Sequence, residues 1–228
     1  MGMNGRVYVV LVTPKNLESK VRTRLFLKEH EWGRIDYREL PQYHFGPDFF
    51  NWLMLKKREE ITDLRGDKLE LRDVVGFSTG NGNSGQARGS ATFTGSGGDI
   101  SSQPATQTMI STASNFNRLT LSLEYKDTCY HFELGELAEC NVDSDNTYKK
   151  NGRDEFKHVN VHEAIITIYY EIIPLLKSAF HMEVTSGTFR PKYEEFQKQA
   201  GLFVIADIVK QLNLTKKDID SLDCFPKL

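Results

Sequence analysis

Two carboxylates and a lysine offer the most specific chemistry that can be read from this chain. Pro47-Asp48 and, far downstream, Glu124-Tyr125-Lys126 spell the residue types of a PD-(D/E)xK nuclease site. That reaction needs Asp48 and Glu124 on one divalent cation, Mg2+ being the expected ion, and Lys126 beside the attacked phosphate. Glu124 and Lys126 are two residues apart at the end of an expected strand, which points both to one face. The competing account is a hairpin turn with solvated charges, since Asp48 sits far upstream on an expected helix. On the leading reading the chain has no catalytic, cofactor-binding or metal-ligating residue. A metal-dependent, nucleic-acid-processing enzyme built on Asp48, Glu124 and Lys126 is the alternative.

Two further patterns are weaker. Gly80-Asn81-Gly82-Asn83-Ser84-Gly85 matches GxGxxG and follows an apolar strand. A dinucleotide would need that turn to open a helix whose N-terminus meets the phosphates. Gln86 to Gly98 instead adds more glycines and no helical stripe, so a glycine-rich loop is the better account. His158 and His162 have the HxxxH spacing that places two imidazoles on one helical face, but residues 158–160 can precede the helix, leaving a polar cluster at its start. No GxSxG, Walker A or HExxH pattern occurs.

Composition narrows the classes. The 228 residues are 39% hydrophobic and 26% charged, ordinary values for a globular protein, with a formal net charge of −2. That charge does not point to nucleic acid as the main partner, although Lys56-Lys57-Arg58 is a local basic patch. The three cysteines, Cys129, Cys140 and Cys224, are widely spaced and form no CxxC pair, which suits a reducing compartment. No apolar run is long enough to span a membrane, and the start carries no signal pattern. The expectation is an intracellular protein of nucleus or cytoplasm, with no membrane partner.

The elements that must position these groups follow from periodicity. Val7–Val12 is a buried-strand pattern, and Leu17, Val21, Leu25 and Phe26 mark a helix with basic flanks. Trp32–Arg38 reads as a second strand. Phe49–Leu55 is apolar on nearly every side and, following Pro47 and Asp48, is expected to be a short helix. Lys68–Phe77 has a strand pattern. From Ser78 to Asn115 polar and glycine residues dominate, predicting a long flexible loop, with at most short edge strands at Thr92–Thr94 and Thr108–Ile110. Alternation over Asn117–Leu134 about Lys126-Asp127 gives the clearest hairpin. Asn141–Lys157 is a polar stretch.

Asn160–Phe180 is expected to be the central helix. Ile165, Ile168, Ile172, Leu175 and Leu176 form its buried stripe, Ile166, Tyr169, Tyr170 and Ile173 add apolar sides, and Pro174 introduces a kink. A last long helix opens at Pro191 with Tyr193, Phe196, Ala200, Phe203, Val204, Ile208 and Leu212 on one side. Ile168 and Ile172 are expected to touch it near Val204 and Ile208. Thr215-Lys216-Lys217-Asp218 resembles a capping box. Together these predict one α+β domain over residues 1–228, an antiparallel-rich sheet packed against two long C-terminal helices.

The opening strand ending in Thr13-Pro14, a helix, then Trp32-Gly33-Arg34-Ile35-Asp36-Tyr37-Arg38 resembles the start of the smaller barrel-forming subunit of the Mediator head module. The strands Leu69–Phe77 and Leu119–Tyr125 followed by helices are similar in order to that family's second half. The resemblance is scattered over about half the chain, with no clear strand pair between Pro41 and Pro47 and a longer final helix. It implies a non-catalytic scaffold whose sheet wraps around helices, and carries over no functional residue. With no convincing catalytic constellation and a near-neutral charge, the expectation is a non-catalytic protein-interaction subunit of a larger intracellular assembly, with other protein subunits as partners and no cofactor, and the resemblance implies a transcription-related one.

Overall fold

The computed structural model describes residues 44–61, 63–64, 69–79, 93–151 and 155–220, together with Lys20 and Arg24, which are helical and exposed. The expected strands at Val7–Val12 and Trp32–Arg38, and the Gly80–Gly85 pattern, lie outside the described residues, as does most of the helix expected from Leu17.

The sheet grows from the hairpin. In β3 (Phe116–Tyr125), Leu119, Leu121, Leu123 and Tyr125 are buried and alternate with Arg118, Thr120, Ser122 and Glu124. In β4 (Thr128–Gly135), Phe132 lies opposite Leu121 and Tyr130 opposite Leu123, so one face of the pair is apolar. Lys126 and Asp127 have φ of 49° and 61°, the left-handed pair whose twist matches the flanking strands in a two-residue hairpin. β1 (Leu69–Thr79) pairs antiparallel with β3. Register shifts between Leu71 and Asp73 and between Val74 and Gly76 bend it. β2 (Thr94–Ser96) adds an edge beside β1. Gly76 sits where chains approach closely, because a Cβ there would meet Thr120 Oγ1 at 2.8 Å.

The polar stretch after the hairpin also joins the sheet. β5 (Cys140–Val142) and β6 (Tyr148–Asn151) both pair with β4, and β7 (Glu155–His158) pairs with β6. The described strands follow the order β2-β1-β3-β4-β6-β7, with β5 beside β4.

Helices cover the apolar face. In α1 (Pro47–Arg58), Phe49–Leu55 are all buried, as the all-round apolar sequence requires. An aromatic chain ties the helices together: Phe45 stacks on Phe49 at 4.4 Å, Phe49 meets Phe180 at 5.6 Å, and Phe180 meets Phe189 at 5.7 Å. The central rod comprises α3 (Val161–Thr167), a π turn (Ile168–Ile172) and α4 (Ile173–Thr185). Pro174 cannot donate to the preceding turn and its ring crowds a carbonyl there, so the irregularity falls directly before it. Ile165, Ile168, Ile172 and Leu176 are buried as expected, whereas Ile166 is 52% exposed on the opposite side.

The fold is α+β, but three expectations change. Ser78 and Thr79 complete β1, and residues 93–115 are built into the fold rather than forming a loop. They supply β2, a 3-10 turn at Ile100–Ser102 and α2 (Pro104–Ser111), with Ile100 and Ile110 fully buried. Thr108–Ile110 is helical rather than an edge strand. Neutral polar side chains conceal this region: Thr106 and Gln107 are buried too, and Gln107 Nε2 donates to the Ser101 carbonyl. Second, the stretch read only as polar, Asn141–Lys157, carries most of β5–β7. Third, α5 (Phe189–Gln211) packs mainly on α1, α2 and α4 through Phe189, Tyr193, Phe196 and Ala200. Ile208, expected to meet Ile168 and Ile172, is instead 46% exposed. α6 (Lys216–Asp220) follows, and its capping box forms, Thr215 N donating to Asp218 Oδ2 at 2.8 Å.

Candidate functional site

The three residues of the nuclease alternative occupy three separate settings. Asp48 lies in the first turn of α1, on the helical side of the sheet, and its half-exposed carboxylate is 3.7 Å from Arg190 Nη1. Glu124 is on the other face of the sheet, opposite Glu70 and Cys129. Its Oε2 accepts from Arg72 Nε at 2.9 Å, Arg72 Nη2 at 2.5 Å and Lys150 Nζ at 2.6 Å. Partial burial pushes the Glu124 carboxyl up, yet the hydrogen bonds from Lys150 and Arg72 outweigh it and hold it below its ordinary value. Lys126 sits beyond the strand, where the left-handed turn carries it off the face of Glu124. Its Nζ donates to Glu171 Oε2 at 2.5 Å, beside a 2.7 Å bond from the Tyr125 hydroxyl. That ion pair lowers the Glu171 carboxyl. Each group thus neutralises a local neighbour, and the three share no partner.

The histidine pair separates as well. His158 ends β7, while His162 stands in the first turn of α3, whose N-cap is Asn160, with Oδ1 accepting from His162 N at 2.9 Å. Among the described residues no group of three His, Cys, Asp or Glu side chains is placed to hold a metal ion. The outer face of the sheet carries a shallow cleft of about 230 Å³ lined by Gly76, Phe77, Gly95, Arg118 and Glu133. Arg118 Nη1 already donates to Glu133 Oε1 at 2.8 Å, so the cleft's charges answer one another.

A different surface stands out on α5. At about 100° per residue, Phe189, Tyr193, Phe196 and Ala200 fall within one narrow arc, and all four are buried. Gly201 lies close to α2, where a Cβ would stand 3.5 Å from Ser111 Cβ. Beyond it Phe203, 41% exposed, and the half-buried Val204 still flank the line of the buried arc, while the other large apolar residues lie across the helix. Leu202, Ile205, Ile208, Val209 and Leu212 cluster on an arc centred about 150° around the helix from the buried one. Four of them are strongly exposed: Leu202 57%, Ile205 50%, Ile208 46% and Leu212 66%. Asp207 and Gln211 occupy the side that faced the core a few turns earlier. The distal half of α5 therefore presents its apolar face away from the described core.

Reading the helix as one stripe hid this surface, because Tyr193, Phe196 and Ala200 run loosely into Val204, Ile208 and Leu212.

Comparison with protein-family models, with curated proteins and with solved structures finds no match for the chain. No helix among the described residues is long and apolar enough to cross a membrane.

Proposed function

We propose that the protein is a non-catalytic interaction subunit that binds another protein chain through the outward stripe of α5. The observation that carries this reading is the exposed apolar stripe that begins after Gly201. An apolar face turned away from its own core gains nothing from folding in that position, and contiguous exposed apolar patches mark interaction sites. Leu202, Ile205, Ile208 and Leu212 are large and lie within one arc, the arrangement of anchors in helix-mediated recognition. The charged residues of this half, Asp207 and Lys210, lie off the stripe, so docking there strips water from no charge.

Co-purification tests it. Wild-type protein and an Ile205→Glu, Leu212→Glu variant are recovered from the native source under identical conditions. Wild type is expected to bring one or more chains, a second copy included, that the variant loses while keeping its circular dichroism spectrum. Equal recovery by both variants would remove the stripe from the account.

A further inference from the structure

We infer that the chain seated on this stripe is a second copy of the same protein, with the two distal α5 halves packed antiparallel about a twofold axis; the inference rests on the interaction reading above. Leu202, Ile205, Val209 and Leu212 have the alternating three- and four-residue spacing of a helix–helix seam. In the antiparallel arrangement Leu202 meets the partner's Leu212 and Ile205 meets the partner's Val209, so the stripe is complementary to itself, as a twofold contact requires. No charged residue lies on the stripe between Leu202 and Leu212, and self-pairing therefore brings no like charges together. Asp207 and Lys210 point elsewhere on the helix.

Direction and size also select this occupant. The stripe faces away from the described core, so the two bodies sit on the outer sides of the helix pair. Antiparallel pairing places them at opposite ends, whereas parallel pairing would crowd both against the Gly201 end. The distal half is about 16 Å long. Covering its stripe on both copies removes on the order of 1,000 Å² from water, the lower limit for a specific interface. A contact of that size forms a concentration-dependent dimer rather than a permanent one.

Sedimentation equilibrium of the purified full chain from roughly 1 to 100 μM, a range suited to such an interface, is the test. The weight-average mass should rise from one chain toward two. Ile205→Glu with Val209→Glu should hold it at one chain throughout, and Leu202→Lys serves if that double variant fails to fold. A wild type that stays monomeric at the highest concentration, or a folded variant that dimerises equally, overturns the inference. A hydrophobic dye separates that failure from failure of the interaction reading. Dye binding by the monomer that is lost in the variant leaves the stripe free for another protein. No difference in dye binding would mean that the chain covers the stripe itself, and both readings fall.

Discussion

Gln211 Nε2 donates to Asp207 Oδ2 at 2.8 Å on the side of α5 where, farther back along the helix, Tyr193 and Ala200 are buried. A polar pair thus continues the line of the core between Phe203 and Val204, while Leu202, Ile205 and Leu212 lie on the opposite face. The helix is anchored in the core up to Ala200 and exposes its large apolar residues beyond it.

The two halves should respond oppositely to truncation. Phe196→Ala removes a buried ring and is expected to cost about 3–5 kcal/mol from lost transfer energy and a cavity. Ile205→Ala, on the exposed stripe, should change stability by no more than about 0.5 kcal/mol. Urea unfolding of dilute protein measures both.

The central rod supplies a second test. Ile168 and Ile172 are fully buried, and either change to alanine should cost about 2–5 kcal/mol. Stability totals only about 5–15 kcal/mol for a protein domain, so the double variant should show little or no cooperative melting transition.

Residues 93–115 should behave as core. Ile110→Ala is expected to destabilise by about 2–5 kcal/mol, and limited proteolysis should spare Pro104–Ser111. Rapid cleavage within α2 in the native protein would place that helix outside the stable fold.

Acid should weaken the ion pairs of Glu124 and Glu171 in a defined direction. Both carboxyls are lowered from an ordinary value of 4.5, so the unfolded chain binds their protons first as pH falls. The stability they contribute is present above that value and is lost as pH drops through their folded values. Glu124→Gln should accordingly destabilise at pH 7 and lose that difference at lower pH, as followed by urea midpoints across the acid range.

The parts of the fold that were legible in the sequence are those where local period and burial agree. Alternation located β3 and β4, the all-round apolar run located α1, and Thr215 with Asp218 announced the cap of α6. β5–β7 escaped because short strands beside a formed hairpin need few apolar residues, and α2 because Ile110 anchors it among buried neutral polar side chains. The charged candidates misled through the turn: spacing puts Glu124 and Lys126 on one face only if the strand continues, and positive φ at Lys126 ends it. The α5 surface was present in the sequence but spread across a helix whose first half buries one side and whose second half exposes apolar residues on the other.

Thermal melting of Ile205→Glu with Leu212→Glu, at a concentration low enough to keep the chain monomeric, addresses the outward stripe most directly. For a protein of this size 1 kcal/mol shifts Tm by about 2–4 °C. If the stripe is a presented surface, the double variant should melt within about 2 °C of wild type. If the stripe is packed in the folded monomer, two buried charges would lower Tm by more than about 8 °C, and that result would contradict the account.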